Sequence, residues 1–173
     1  MFKRLILIGA FSLGIVMAQS FYHTKNAKTI SLSYGINQTS FTNGFLEYNH
    51  WLHRNFSVGG AFNFEHGQVG STIFNDYVIA PQFKASPTFA VGGRMYFNGF
   101  FGAYFGLQHL LSDRYNLQKV HFINGLWLGG ETEVQVVKNF AIGLQFRQAY
   151  TFQDEAPGHW HWNLNLSLKC ILF

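Results

Sequence analysis

The side chains in this sequence best placed to do chemistry are ionisable groups set among apolar ones. Glu47, Glu65, Arg94, Glu131, Glu133, Arg147 and Lys169 share an alternating register with Ser, Asn, Gln and Gly. In an extended chain that register is one face, because successive strand residues point to opposite sides. A charge on a face shut off from water is costly when alone. Joined as carboxylate–guanidinium and carboxylate–ammonium pairs, such charges satisfy one another. Four acids against three bases nearly balance, so the expected role is a structural polar plug rather than a proton or solute path. Glu131 and Glu133 lie two apart on one face and repel unless a cation sits between them. With a reversal at 137–139, residues whose numbers sum to about 276–278 oppose each other. Arg147 is therefore the expected bridge between these two acids, with Arg94 also pairing to some of the glutamates.

Catalytic and metal chemistry find weaker footing. His159 and His161 stand two apart on one strand face and could ligate a metal, but spacing supplies no third ligand. A hydrolase would need a serine within reach of a histidine and an orienting acid. No His-x-Ser pair of the kind seen in lipid A deacylase barrels occurs. Phosphate-loop, Cys-x-x-Cys and zinc spacings are absent from the sequence. Cys170 is the single cysteine, which excludes an intramolecular disulfide and leaves it a small apolar strand residue. No catalytic residue, metal or cofactor is therefore assigned.

These groups need strands to position them. From His159 to Cys170 the chain alternates polar and apolar without a fault. Trp160, Trp162, Leu164, Leu166, Leu168 and Cys170 fall on one face; His159, His161, Asn163, Asn165, Ser167 and Lys169 fall on the other. The same period-two pattern appears around residues 29–36, 46–52, 56–65, 89–95, 101–108, 126–136 and 140–147. Eight strands of about 9–11 residues follow, the length that tilted strands need to cross a bilayer. Connections of two classes separate them. His53-Arg54-Asn55, Asn98-Gly99 and Val137-Lys138-Asn139 read as tight turns of residues that tolerate positive φ. Residues 37–43, 66–87, 109–120 and 152–158 read as longer loops. Short turns on one side and long loops on the other are the pattern of membrane barrels.

A repeated phrase marks the turns: RNFSVGGAFNF from Arg54, KNFAIGLQF from Lys138, and a looser NGFFGAYFG from Asn98. Each is read as a short turn followed by the strand that climbs away from it. Phe56, Phe100 and Phe140 then form an aromatic girdle at one interface, with Trp160 and Trp162 as girdle residues of the last strand. Residues 76–84 (DYVIAPQFK) are assigned to an extended hairpin outside the membrane, since Pro81 and Pro87 suit an irregular segment. Residues 66–87 are then the largest exposed loop and the expected partner-binding surface.

Composition points to the same class. Aromatics make up 18% and charged residues 12% of the chain, against about 25% charged in typical globular domains. The mean hydropathy is only +0.05. No stretch is long and apolar enough for a membrane helix. Lys3 and Arg4, the apolar run Leu5 to Met17, and small Val16 and Ala18 form a secretory signal over residues 1–18. Residues 19–173 are the expected domain: an all-β, eight-stranded antiparallel transmembrane β-barrel of the bacterial outer membrane. Removing Lys3 and Arg4 lowers the formal charge from +4 to +2. No basic run remains, so direct nucleic-acid binding is not expected.

The C-terminal half carries a family resemblance. GLWLGGETEVQVVKNFAIGLQFRQAY, followed by HWHWNLNLSLKCILF, resembles the end of the TraO family of conjugative transposon proteins from Bacteroidetes. The matching features are Gly129, Gly130, Glu131 and Glu133, a short turn, a strand with Arg147, and a closing strand with His161 and Lys169. TFAVGGRMYF and FFGAYFGL resemble that family's middle strands, so the resemblance covers residues 88–173. It implies an accessory part of a DNA-transfer apparatus in the outer membrane, with no enzymatic residues to carry over. The expected function is thus a non-enzymatic, monomeric structural or docking barrel. Its expected partners are outer-membrane lipid and other transfer-apparatus proteins. The alternatives are a lipid-modifying enzyme of the lipid A hydrolase type and a narrow pore.

Overall fold

The alternation dictates the architecture. A computed structural model describes residues 25–38, 42–86, 94–112, 117–153 and 158–173; residues 1–18, read from the sequence as a secretory signal, lie outside them. The strands are β1 (Lys28–Asn37), β2 (Thr42–His53), β3 (Phe56–Val69), β4 (Thr72–Ala85), β5 (Met95–Ser112), β6 (Leu117–Val137), β7 (Phe140–Thr151) and β8 (Trp160–Leu172). Each pairs antiparallel with the next, and β8 pairs with β1 from Lys28↔Leu172 to Asn37↔Asn163, closing the ring. Closure removes every sheet edge, which a backbone surrounded by lipid requires. The period-two face separation is retained in β8: Leu166 is 58% exposed and its neighbours Asn165 and Ser167 are fully buried. The fold is therefore inverted relative to a soluble domain, with apolar side chains outside and polar ones within.

Two copies of the repeated phrase are turns with one construction. Before Arg54-Asn55 the β2–β3 register slips between Trp51 and His53; before Lys138-Asn139 the β6–β7 register slips between Gln135 and Val137. In both, the turn asparagine's carbonyl oxygen accepts a backbone N–H from the neighbouring strand, Ser86 to Asn55 and Ile171 to Asn139, each at 2.8 Å. Neither Asn55 nor Asn139 has positive φ. The bulge supplies the twist that the sequence reading assigns to left-handed residues. Positive φ occurs instead at Gly70 (60°), in the two-residue link from Val69 to Thr72. Glycine opening a two-residue hairpin loop is the expected chemistry there.

The third copy is not a turn. Asn98 and Gly99 lie inside β5, paired with Glu131 and Gly130 of β6. The fourth strand is β4, within the segment that the sequence reading places in an outside hairpin. Residues 87–93, read as part of a strand, lie outside the described residues, as do 39–41, 113–116 and 154–157 of the expected loops. Two features conceal β4. Val78 and Ala80 face inward while Tyr77 and Ile79 face outward, so hydropathy does not alternate there. Pro81 also sits within the strand, facing out and opposite Gly60 of β3. The β4–β5 ladder is interrupted between Ile79 and Gln82, so the proline's missing N–H breaks no bond. Residues 66–87 are accordingly not a large exposed loop, and tight turns and long loops do not sort strictly by side.

Candidate functional site in the barrel interior

Inward positions on adjacent strands fill the lumen in layers. At the end where β1 begins and β8 finishes, Tyr96, Ala141 and Ile171 form a buried apolar cluster. Above it lies the ionic layer. Lys169 bridges Glu131 and Glu133, 2.6 Å from each. Lys84 lies 2.9 Å from Glu131 and 3.6 Å from Glu47. Arg147 pairs with Glu47, and its Nη2 also donates to Gln145 Oε1 at 3.1 Å. Gln145 donates to Glu47 at 3.0 Å, Ser167 to Glu131 at 3.3 Å, and Asn98 to Glu133. These charged groups come from five strands, so the network ties distant staves of the barrel together. All six charged side chains are at most 3% exposed.

Arg147 is held by rings as well as by charge. Its guanidinium carbon lies 3.8 Å from the centroid of Trp127, 4.0 Å from Phe45 and 5.0 Å from Phe100. A guanidinium between aromatic faces gains cation–π attraction where water is excluded. Glycines make room for these rings: Phe100 lies over Gly129, Tyr104 over Gly125 and Trp127 over Gly102, each its direct cross-strand partner. A side chain at any of the three glycines would collide with the ring, so this close approach requires glycine.

The structure thus brings Glu47, Glu131, Glu133, Arg147 and Lys169 together and places Glu65 higher in the lumen, 1% exposed. It corrects the expected bridge. Glu131 opposes Gln145, and Arg147 opposes Gly129. Arg147 reaches across the lumen to Glu47, and Lys169 takes the position between Glu131 and Glu133. In a barrel this narrow, side chains meet across the interior, so cross-strand register does not determine the pairs. Arg94 is exposed, just before β5, and joins no lumen network among the described residues. Phe100 is 4% exposed and inward, not a girdle residue. Its girdle assignment follows from a turn at Asn98-Gly99; without that turn, the parity of Tyr96 and Asn98 carries Phe100 inside. Phe56, Phe140, Trp160 and Trp162 are on the outer face.

Sequence reasoning misses Lys84 and Asp76, both in the misread fourth strand. Asp76, Val78, Ala80, Gln82 and Lys84 share one parity, which is the available signal. The histidine pair separates: His159 contacts the Thr151 carbonyl oxygen at 2.9 Å and stacks on Tyr150, whereas His161 points inward. Among the described residues no three His, Cys, Asp or Glu side chains are grouped to hold a metal.

On the outer wall, an apolar groove of ≈ 490 Å³ runs between Phe101, Leu126, Leu128, Tyr150, Phe152 and Trp160. Gln148 also lines it; among the described residues the rest of the lining is apolar or aromatic.

Comparison with solved structures matches this shape. The N-terminal β-barrel domain of Pseudomonas aeruginosa OprF aligns with a TM-score of 0.66 at 11% identity, over 86% of this chain and 98% of that one. A major outer membrane protein from Thermus thermophilus gives 0.61 at 11% identity, over 84% and 99%. Neisserial surface protein A gives 0.60 at 12% identity, over 83% and 95%. The fold is that of an eight-stranded outer-membrane barrel. No protein-family model matches the chain, and no curated protein matches it in sequence. In this barrel the strands supply a rigid cylinder and the inward side chains fill it.

Proposed function

We propose that this protein is a non-enzymatic, monomeric barrel of the bacterial outer membrane that serves as a structural or docking component. The observation that carries the reading is the balanced ionic layer, three acids with three bases, packed under Phe45, Phe100 and Trp127. A lumen tied across by ion pairs is suited to rigidity rather than to passage. The outer groove, lined among the described residues by aromatic and aliphatic side chains, gives lipid a place to pack.

The finer role is an accessory part of a conjugative DNA-transfer apparatus. It is supported by the resemblance of residues 88–173 to the TraO family. In that role the barrel contacts protein components and lipid, not DNA. Deleting the gene in its native host should reduce conjugal transfer without changing the lipid A mass spectrum. An affinity-tagged copy should restore transfer and co-purify with transfer proteins. Unchanged transfer would remove the conjugation role, and an altered lipid A spectrum would favour the lipid-modifying alternative.

A further inference from the structure

The interior charges divide unevenly. Glu47, Glu131 and Glu133 share Lys84, Arg147 and Lys169. Glu65 and Asp76 are left over. They oppose each other directly across β3 and β4, are 1% and 4% exposed, and form no ion pair with any described residue. Like charges placed opposite one another destabilise a sheet. Both line a cavity of ≈ 20 Å³ in the half of the lumen away from the start of β1 and the end of β8.

Acceptor atoms crowd that cavity. Asn63 Oδ1 and Asn163 Oδ1 lie along it with the ring Nδ1 of His161, all three buried and without a protein hydrogen-bond partner. These side chains are 6%, 2% and 8% exposed. The nearby amide donors are already directed at the acids. Asn37 and Asn163 donate to Glu65 at 2.9 and 3.3 Å, and Gln108 donates to Asp76 at 2.8 Å. A cavity of this size holds one water or one small ion. One water offers two protons and no charge, which leaves most of these acceptors unmet and both carboxylates uncompensated.

We propose that this chamber binds one hard divalent cation of the calcium type, with the Glu65 and Asp76 carboxylates and the Asn63 and Asn163 amide oxygens as ligands. Carboxylate and amide oxygens are the ligand set such ions take. Two negative charges match the ion, and binding it balances the buried carboxylate, lysine and arginine charges of the described residues. The inference stands apart from the conjugation role, since it rests on the interior alone.

Trp127 and Tyr104 also line the cavity and can sensitise a bound lanthanide. The test titrates terbium(III), a calcium probe, into the full mature barrel, refolded in detergent and stripped with EDTA. The expected result is tryptophan-sensitised emission that saturates near one equivalent and is reversed by calcium chloride. Glu65→Gln/Asp76→Asn should weaken binding at least tenfold while keeping the heat-modifiable gel mobility of a folded barrel. Asn63→Ala, which removes a ligand without touching charge, should weaken it severalfold and decides the matter if the double variant does not fold. No emission, emission that calcium does not displace, or equal binding by the variants would overturn the proposal. So would stabilisation of the parent by acid without terbium binding, which would assign a shared proton instead.

Discussion

Arg147 has two kinds of neighbour, and they predict different outcomes. Its ion pair with Glu47 is fully buried. Arg147→Gln strands that carboxylate and should cost about 3–5 kcal/mol, the usual effect of removing one partner of a buried pair. Adding Glu47→Gln should recover part of the loss. Urea unfolding in detergent or vesicles measures both, and an Arg147→Gln protein as stable as the parent would show that the pair holds nothing together. Arg147→Lys keeps the charge and loses the planar stack between Phe45 and Trp127. It should cost about 1–2 kcal/mol, in the range of a desolvated cation–π contact. Six of the charges in this network and its neighbour chamber are legible in the sequence as parity in well-alternating strands: Glu47, Glu65, Glu131, Glu133, Arg147 and Lys169. Their partners are not. Register matches Arg147 to Glu131 and Glu133, while the actual contact crosses the lumen, a distance that no spacing along two strands encodes.

At the scale of the element, β8 and β4 mark the two extremes of legibility. In β8 each outward residue is apolar and each inward one polar from Trp160 to Lys169, so faces and strand follow from the sequence directly. In β4 the inward face mixes Asp76 and Lys84 with Val78 and Ala80, and Pro81 interrupts the ladder. The period vanishes because the lumen there is filled by apolar packing against Phe45, Tyr104 and Trp127. Missing β4 displaces a turn to Asn98-Gly99, and that error carries Phe100 and Arg94 with it. Substitution separates the two readings of this segment. Ile79→Arg and Leu144→Arg should each cost about 2–4 kcal/mol if the sites lie near the bilayer midplane. An exposed hairpin would accept Ile79→Arg with little change. Spin labels should show Leu144 in contact with a lipid-soluble quencher and Gln145 shielded from it. Equal quenching at the two would contradict the assignment of faces.

At the scale of the molecule, fold class follows from composition and period because a bilayer leaves a chain few options. Many aromatics, few charges and no apolar run long enough for a membrane-spanning helix leave a closed sheet as the way to satisfy the backbone. How the interior closes is decided instead by packing: three glycine notches for three rings, and a layer of charges shared among five strands. The central claim is that this filled interior makes the protein a sealed strut rather than a conduit. Planar-bilayer recording of the purified barrel tests that claim most directly. The parent protein should insert and show no unitary conductance across the voltage range in which the bilayer is stable. Replacing Arg147, Lys84 and Lys169 together with alanine should open resolvable current steps. Discrete, reproducible channel openings from the parent barrel itself would contradict the account.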